Sequence, residues 1–113
     1  MSHTPNPYMS CINACRLCAT ACNQCFADCL KEEDAKMMAR CIALDADCAA
    51  ACSFAAEAMS RRSEYAQAIC AMCAQICRAC GDECARHEAE HCQACATACY
   101  KCAEECAAMA AAV

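Results

Sequence analysis

Small apolar residues and polar residues alternate along most of this chain with the spacing of an α-helix. Cysteine, alanine and a few larger apolar residues recur three and four positions apart, which places them on one helical face. Polar breaks at residues 31–34, at residues 60–63 and near His87 interrupt the pattern. The pattern therefore predicts four helices, at about residues 7–30, 34–59, 64–86 and 88–111.

The short connections between the predicted helices decide how they pack. A short connection returns each helix alongside the previous one in the opposite direction. Glycine occurs once and proline twice, so strands joined by tight turns are disfavoured. We predict one all-α domain over residues 1–113, an antiparallel up-down-up-down four-helix bundle with a cysteine-lined core. Gly81 lies inside the third helix, which we expect to continue through it.

Sulfur occupies the positions that Leu, Ile or Val fill in an ordinary bundle. The chain has 19 cysteines among 113 residues and few bulky apolar residues besides them. A core this poor in large side chains needs another source of stability, and metal bound by thiolates is the obvious candidate. The predicted inward cysteines, all candidate metal ligands, are Cys11, Cys15, Cys18, Cys22, Cys25, Cys29, Cys41, Cys48, Cys52, Cys70, Cys73, Cys77, Cys80, Cys84, Cys92, Cys95, Cys99, Cys102 and Cys106.

Two explanations without metal fit these cysteines poorly. Cysteine packs as a small hydrophobe, but Ala, Val and Leu would fill a core without the risk of oxidation. Disulfides are disfavoured because the count of 19 is odd and because cysteines three or four apart on one helix have poor bridging geometry. Metal ligation is the remaining explanation.

Charge separates the candidate metals. Zn²⁺ takes four tetrahedral ligands, so 19 thiolates would bind about four Zn²⁺ ions and leave roughly 11 negative charges inside the bundle. Cu(I) carries one charge and accepts two or three soft thiolates, so one Cu(I) per cysteine neutralises the core. Iron–sulfur clusters have discrete four-cysteine sites, which a continuous stripe does not provide. We predict many Cu(I) ions; the alternative is a general thiolate buffer for zinc or mixed metals, similar to metallothionein.

The net charge and the remaining residues argue against other classes of function. The charge is −5 and no basic stripe is present, so nucleic acid is an unsuitable partner. No apolar run approaches the ~20 residues of a membrane span. The first residues, MSHTPNPYM, lack the features of a secretory signal, so we expect a cytoplasmic protein. No catalytic set is visible, and a thiol redox enzyme would need one exposed reactive pair rather than 19 cysteines, so we expect no enzyme.

Four stretches of the chain carry a family resemblance. They read CINACRLCATACNQCFADCL at residues 11–30, CIALDADCAAAC at 41–52, ICAMCAQICRACGDEC at 69–84 and HCQACATACYKCAEEC at 91–106. With these motifs the chain resembles the cytosolic copper storage proteins of bacteria over nearly its whole length. The resemblance implies a bundle filled with Cu(I), storage or buffering that protects against copper toxicity, and a homotetramer. The donors and acceptors of copper stay unknown.

Asp45 lies on the cysteine-bearing face of the second predicted helix, at a position where the spacing of three and four residues calls for cysteine. An inward carboxylate is costly unless it is paired or bound. Asp45 is therefore a candidate oxygen ligand, or a hydrogen-bond acceptor that orients a copper ligand, and the resemblance favours the same role. The alternative is a hydrogen bond to a backbone group, to Arg or to Lys near one end of the bundle.

Two histidines lie at one end of the predicted bundle. His87 continues the cysteine-bearing face of the third predicted helix, and His91 precedes Cys92 at the start of the fourth. In an antiparallel bundle both histidines therefore lie at the end where the first helix ends and the second begins. Imidazole and thioether are both suitable Cu(I) ligands. His87 and His91 are thus candidate ligands at an entry port for copper, and the alternative is a pair of surface histidines at a helix junction. Met37 and Met38 share this end, and Met59 and Met109 lie at the opposite end; whether any of these four methionines binds copper stays open.

Overall fold

The computed structural model describes residues 4–112 and is built almost entirely from helix. The four helices are α1 (Met9–Leu30), α2 (Ala39–Ser60), α3 (Ala66–Ala85) and α4 (Glu90–Ala111), and a 3-10 turn at Ala35–Met38 precedes α2. Residues 4–112 contain no strand. The predicted all-α fold is therefore confirmed. None of the helices in the described residues combines the length and apolarity needed to cross a membrane.

Contacts at both ends of the helices show that neighbours run antiparallel. Near the start of α1, Ser10 Oγ donates a hydrogen bond to Glu105 Oε1 near the end of α4, at 3.1 Å. In the pair formed by α2 and α3, the Sγ atom of Cys41 at the start of α2 lies 3.4 Å from the Sγ atom of Cys84 at the end of α3. Each helix packs against two neighbours, and the backbones of the diagonal pairs α1 and α3, and α2 and α4, stay apart in the described chain. This is the predicted up-down-up-down bundle.

The helices begin later than the hydrophobic pattern predicts. Asn6 closes a turn before α1, where its Oδ1 accepts a hydrogen bond from the Tyr8 N–H at 2.8 Å. Residues 35–38, predicted as the first turn of the second helix, form the 3-10 turn. α4 begins only at Glu90, because Ala89 has an extended backbone with ψ 140°. Turns of this kind depend on local hydrogen bonds that periodicity does not detect.

Gly81 lets α3 and α4 approach closely. α3 continues through this glycine, as expected. A Cβ atom at position 81 would lie 2.9 Å from Tyr100 Cε1 and 3.3 Å from Cys99 Cβ, which is closer than ordinary carbon contacts. The Tyr100 hydroxyl donates a hydrogen bond to Asp82 Oδ1 at 2.7 Å, which holds the ring over the glycine. The glycine is thus explained by packing and not by backbone conformation.

The N-terminal segment covers the end of the bundle where α2 ends and α3 begins, which we call the closed end. Asn6 Nδ2 donates to the Met59 carbonyl at 3.1 Å, and Arg62 Nη2 donates to the Thr4 carbonyl at 2.9 Å. Arg62 adopts a left-handed conformation with φ 53°. Its N–H and that of Ser63 reach back to carbonyls of α2, which ends the helix in a Schellman motif. Met59 beneath this segment is fully buried.

Candidate metal centre

The inward stripes of the four helices bring all nineteen cysteines into the interior, which we call the sulfur core. No cysteine exposes more than 1% of its surface, and every one is a free thiol. The rest of the interior is mostly alanine, with Met38, Met59 and Ile12 as the larger apolar side chains. Short side chains allow the four helices to meet at a line of sulfur atoms instead of a layer of aliphatic groups.

Thiols of all four helices contact one another along this line. Cys52 of α2 lies 3.5 Å from Cys77 of α3 and 3.6 Å from Cys102 of α4, measured between Sγ atoms. Cys102 in turn lies 3.5 Å from Cys15 of α1. The diagonal helices α2 and α4, whose backbones stay apart, are therefore joined through sulfur. A metal placed here would be bound by several helices at once.

The thiols also form compact groups with the geometry of a metal site. In each group the four Sγ atoms lie within 4.8 Å of one another. With metal–sulfur bonds of about 2.3 Å, a tetrahedral ion needs sulfurs about 3.8 Å apart and a linear one about 4.6 Å. Both arrangements fit, so charge and not distance separates zinc from Cu(I). Five such groups are Cys15, Cys52, Cys73 and Cys102; Cys18, Cys48, Cys52 and Cys77; Cys18, Cys22, Cys48 and Cys99; Cys22, Cys80, Cys95 and Cys99; and Cys25, Cys29, Cys41 and Cys92.

Asp45 is fully buried among these thiols. Its Oδ1 accepts hydrogen bonds from the thiols of Cys80, Cys95 and Cys84, at 3.3, 3.4 and 3.5 Å. Its Oδ2 faces the thiol of Cys41 at 3.8 Å. Burial, together with the nearby Cys95, raises the pKa of Asp45 to about 9. The structure thus places this carboxyl group among sulfur atoms, away from the Arg, Lys and backbone partners of the alternative interpretation.

His91 faces the thiols at the other end of the bundle from the closed end. Its Nδ1 lies 3.5 Å from the Sγ of Cys92, 3.6 Å from that of Cys25 and 3.8 Å from that of Cys29. Its Nε2 donates a hydrogen bond to Glu32 Oε1 at 2.8 Å. The side chain is 18% exposed, so the ring connects solvent with the sulfur core. One imidazole nitrogen and three thiols converge here, which is a suitable ligand set for Cu(I).

His87 is arranged differently, although it lies at the same end. Its Nε2 donates to Glu83 Oε2 at 2.8 Å, and no hydrogen bond joins it to a thiol within the described chain. Glu83 also accepts from Arg40 at 2.9 Å and from Arg86 at 3.2 Å. Burial by itself would raise the pKa of Glu83, but His87 and the two arginines together hold that pKa below its ordinary value. The geometry favours His91 over His87 as a ligand; that His87 binds metal stays a prediction.

Glu32 and Glu83 are two residues of this end that sequence reasoning missed. Glu83 lies four residues before His87 on the same helix, and this spacing could have suggested the pair. Glu32 lies 59 residues from His91 in sequence, within a run of charged residues, and no local pattern connects them. Finding that contact requires the relative positions of α1 and α4.

The four methionines divide between interior and surface. Met38 and Met59 are buried at opposite ends of the sulfur core, and Met109 packs against the core while partly exposed. Met37 is 75% exposed and points away from the core. Met38 is therefore the better candidate for a thioether ligand at the histidine end, and Met59 plugs the closed end.

The thiols of Cys29 and Cys92, beside His91, are protonated before metal arrives. Burial raises the pKa of Cys92 to about 11 and also raises that of Cys29, because removal from water penalises the thiolate. Thiols bind soft metals as thiolates, so each metal–sulfur bond formed here releases a proton. A monovalent metal replaces each proton charge for charge, whereas Zn²⁺ shared by four thiolates does not.

Known proteins share this sequence pattern and fold. A family model described as copper storage protein matches residues 4–111. A cysteine-rich protein of Bacillus subtilis strain 168, YhjQ, is described as uncharacterized; it is 51% identical over 82 residues, which cover 73% of this chain and 76% of the relative.

Solved structures are similar over almost the full bundle. The Cu(I)-bound copper storage protein BsCsp3 is 50% identical with a TM-score of 0.88, over 91% of this chain and 97% of that protein. A cytosolic copper storage protein from Streptomyces lividans, described during copper loading with five coppers, is 40% identical with a TM-score of 0.90, over 94% of this chain and 93% of that protein. Both of these structures contain copper, and the first contains it as Cu(I), the ion that the charge argument selects.

Proposed function

This chain belongs to the copper storage protein family, and from that premise we propose that it stores and buffers Cu(I) in its sulfur core, with about one ion per cysteine. The proposed ligands are the nineteen thiols, Asp45 and His91, with His87 as a further candidate. Storage of this kind keeps free Cu(I) low and protects the cell from copper toxicity. The cytosolic description of the relative from Streptomyces lividans supports a cytoplasmic location.

The continuous contact between buried thiols carries this proposal. Sγ atoms of neighbouring cysteines are 3.4 to 4.0 Å apart from one end of the bundle to the other. Thiolates this close repel one another strongly in a low dielectric, so full loading requires neutralisation at each sulfur. Cu(I) supplies one positive charge per thiolate, and bridging sulfurs give each ion two or three ligands.

The difference between the two ends of the bundle supports entry of copper at the histidine end. At the closed end the N-terminal segment and buried Met59 cover the sulfur core. At the other end the ring of His91 is partly exposed and contacts three thiols. We propose His91 as the first ligand that an incoming ion meets, with Cys25, Cys29 and Cys92 next.

A titration tests storage directly. Reduced, metal-free protein is titrated anaerobically with Cu(I) against a chromophoric chelator, and the titration is repeated with Zn²⁺. We expect saturation near one Cu(I) per cysteine and weaker, partial binding of zinc. Saturation at about four metals per chain with zinc preferred would instead support the general thiolate buffer.

Storage implies a binding protein and not an enzyme. All nineteen thiols are buried, whereas a thiol oxidoreductase exposes a reactive cysteine at its surface. The family description, copper storage, agrees with a role without catalysis.

Self-association is the second part of the proposal. Phe54 of α2 with Tyr65 and Met72 of α3 forms an exposed apolar surface; their exposed fractions are 47%, 65% and 39%. Ile69 and Ala68 line the groove between them. Soluble monomers rarely leave such a surface uncovered. We propose that copies of the chain associate through this face, as the homotetramer implied by the family resemblance.

A further inference from the structure

Glu32 makes one specific contact, with the histidine that faces the sulfur core. Its Oε1 accepts a hydrogen bond from His91 Nε2 at 2.8 Å, while Nδ1 of the same ring faces three thiols. We propose that Glu32 is a positioning residue, which holds the ring of His91 with its Nδ1 lone pair toward the thiols so that an arriving Cu(I) is captured. This inference rests on the proposed entry of copper at His91.

The chemistry of the two partners determines the tautomer. An ionised carboxylate can only accept hydrogen bonds, so Nε2 of His91 carries the hydrogen. In the neutral ring Nδ1 then has a lone pair and no hydrogen. That lone pair points to Cys25, Cys29 and Cys92, which together with Cys41 form one of the compact thiol groups. The contact with Glu32 therefore presents a free nitrogen ligand beside a set of sulfur ligands.

Within residues 4–112, Glu32 is the one hydrogen-bond partner of Nε2, the outer nitrogen of the His91 ring. A histidine ring turns between two nearly equivalent positions about its second side-chain torsion. The ring is 18% exposed, so water is available to bond either nitrogen once the carboxylate is gone. Glu32 itself is held in place, because its backbone N–H donates to the Cys29 carbonyl at 3.2 Å. Carboxylates that bond the outer nitrogen of a metal-binding histidine act in this way at other metal sites.

Glu83 shows why Glu32, and not any nearby acid, has this role. Glu83 bonds His87 in the same manner, but it also binds Arg40 and Arg86, and its histidine makes no thiol hydrogen bond in residues 4–112. That network connects the start of α2 with the end of α3. Glu32 has His91 as its single side-chain partner among the described residues.

The chain offers a matched control for the test. Glu33 is the next residue in the same turn, carries the same charge, is exposed, and makes no side-chain hydrogen bond or ion pair within residues 4–112. The variants are Glu32→Ala, Glu32→Gln, Glu33→Ala, His91→Ala and the double variant Glu32→Ala/His91→Ala. The readout is the rate at which reduced, metal-free protein removes the first Cu(I) equivalents from a chromophoric Cu(I) chelator, at one pH and without oxygen.

We expect Glu32→Ala to slow uptake roughly ten-fold, the size of effect seen when such carboxylate partners are removed. Glu32→Gln should stay within about three-fold of the parent, because its amide oxygen still accepts from Nε2. Glu33→Ala should leave the rate unchanged. The double variant should be no slower than His91→Ala, since a residue that acts through the ring has no effect once the ring is gone.

A second readout does not involve copper. In the metal-free protein with ¹⁵N-labelled histidine, long-range ¹H–¹⁵N spectra should show His91 with hydrogen on Nε2 in the parent and in Glu32→Gln, and a changed signature in Glu32→Ala. Circular dichroism and melting confirm that each variant is folded. Parent-like spectra and rates in Glu32→Ala would overturn the inference.

The same measurements separate the inference from the function it rests on. If Glu32 acts only by attracting the cation, then Glu32→Gln and Glu33→Ala slow uptake equally and the double variant is slower than His91→Ala; positioning is then wrong. If parent and Glu32→Ala both saturate near one Cu(I) per cysteine and load at the same rate, the inference fails while storage stands. If the parent itself does not saturate there, storage fails.

Discussion

At the scale of the residue, Asp45 shows how a single side chain departs from the pattern around it. It lies in a cysteine stripe and is fully buried, with four thiols as its hydrogen-bond partners. Burial raises its pKa to about 9, so the metal-free protein keeps this carboxyl group protonated at neutral pH. A group with this behaviour weakens the metal-free protein, whereas positive ions bound beside it, as proposed for the loaded protein, would favour its ionised form.

The pH dependence of metal-free stability tests this account of Asp45. In the unfolded chain an aspartate ionises near pH 4, whereas in the folded protein it does so near pH 9. The contribution of Asp45 to the free energy of unfolding is therefore most favourable below pH 4. It is lost as pH rises from 4 towards 9, because over this range the unfolded state releases the Asp45 proton and the folded state retains it. We expect Asp45→Asn to stabilise the reduced, metal-free protein by up to about 4 kcal/mol at pH 7, since about three pH units separate pH 7 from the unfolded pKa, and to give no such gain at pH 4.

Asp47 provides the control, because it lies on the same helix and is exposed. Asp47→Asn should change the free energy of unfolding by less than about 0.5 kcal/mol at either pH. Urea unfolding monitored by circular dichroism measures both variants. A gain for Asp45→Asn that is equal at pH 4 and pH 7 would contradict a raised pKa.

At the scale of the element, α3 and α4 are held together by a small residue facing a large one. Gly81 leaves room for the Tyr100 ring, and the Tyr100 hydroxyl bonds Asp82 on the same helix as the glycine. Glycine within a helix costs about 1 kcal/mol relative to alanine. Glycine is nevertheless favoured at position 81, because a methyl group there would displace the Tyr100 ring and break the hydrogen bond between Tyr100 and Asp82.

Gly81→Ala should therefore destabilise the metal-free protein by about 1 kcal/mol, as overpacking exceeds the gain in helix propensity. In a Tyr100→Ala background the same substitution should become stabilising by up to about 1 kcal/mol, because nothing then opposes the methyl group. Thermal or urea unfolding of the parent, the two single variants and the double variant gives the four free energies of this double-mutant cycle. A stabilising Gly81→Ala in the parent background would show that the ring moves aside freely.

At the scale of the whole molecule, the summed charge of the sulfur core governs what it can hold. The nineteen buried cysteines and the carboxyl group of Asp45 have no buried cationic side chain beside them among the described residues, so thiolates formed on loading would be uncompensated by the protein. Neutralisation must come from the metal, so capacity should follow the number of thiolates and not the number of separate sites.

Removal of one compact group distinguishes these two ways of counting. Replacing Cys15, Cys52, Cys73 and Cys102 by alanine should lower Cu(I) capacity by about four ions if each thiolate holds one charge. The same change would remove about one Zn²⁺ if groups of four were the binding units. Anaerobic titration followed by elemental analysis gives the number, and circular dichroism checks that the variant folds. A loss of a single Cu(I) would refute the charge argument.

The proposed interface also belongs to the whole molecule. Phe54→Glu should introduce a charge into the apolar face and lower the mass of the assembly, as measured by light scattering after size-exclusion chromatography. Leu30→Glu is a suitable control, since Leu30 is equally apolar and 55% exposed but lies at the end of α1. If Phe54→Glu keeps the parental mass, the interface lies elsewhere.

The sequence predicted the bundle and its sulfur core because both follow from periodicity. Spacing of three and four residues places the cysteines inward whatever the details of packing. Asp45 was recognised for the same reason, as an exception within a stripe. These features depend on positions along one helix, which sequence reasoning reads directly.

The contacts at the histidine end depend on positions between helices and could not be predicted. Residues 31–34 are all charged, and periodicity does not predict which of their side chains contacts α4. The structure shows that Glu32 makes this contact, with His91. The arrangement of Arg40, Glu83 and His87 likewise requires the end of α3 to lie beside the start of α2. Which histidine faces sulfur is decided by these interhelical contacts.

The covered end of the bundle has a consequence for the order in which ions move. If copper enters beside His91, as proposed above, the column of sulfur that is covered near Met59 has a single opening through which ions both arrive and leave. Ions that cannot pass one another then form a stack, in which the last to enter is the first to leave. Loading with copper-63 followed by copper-65 should release mostly copper-65 to a chelator at first, and an immediate release of both in their loaded proportion would mean that the ions exchange places.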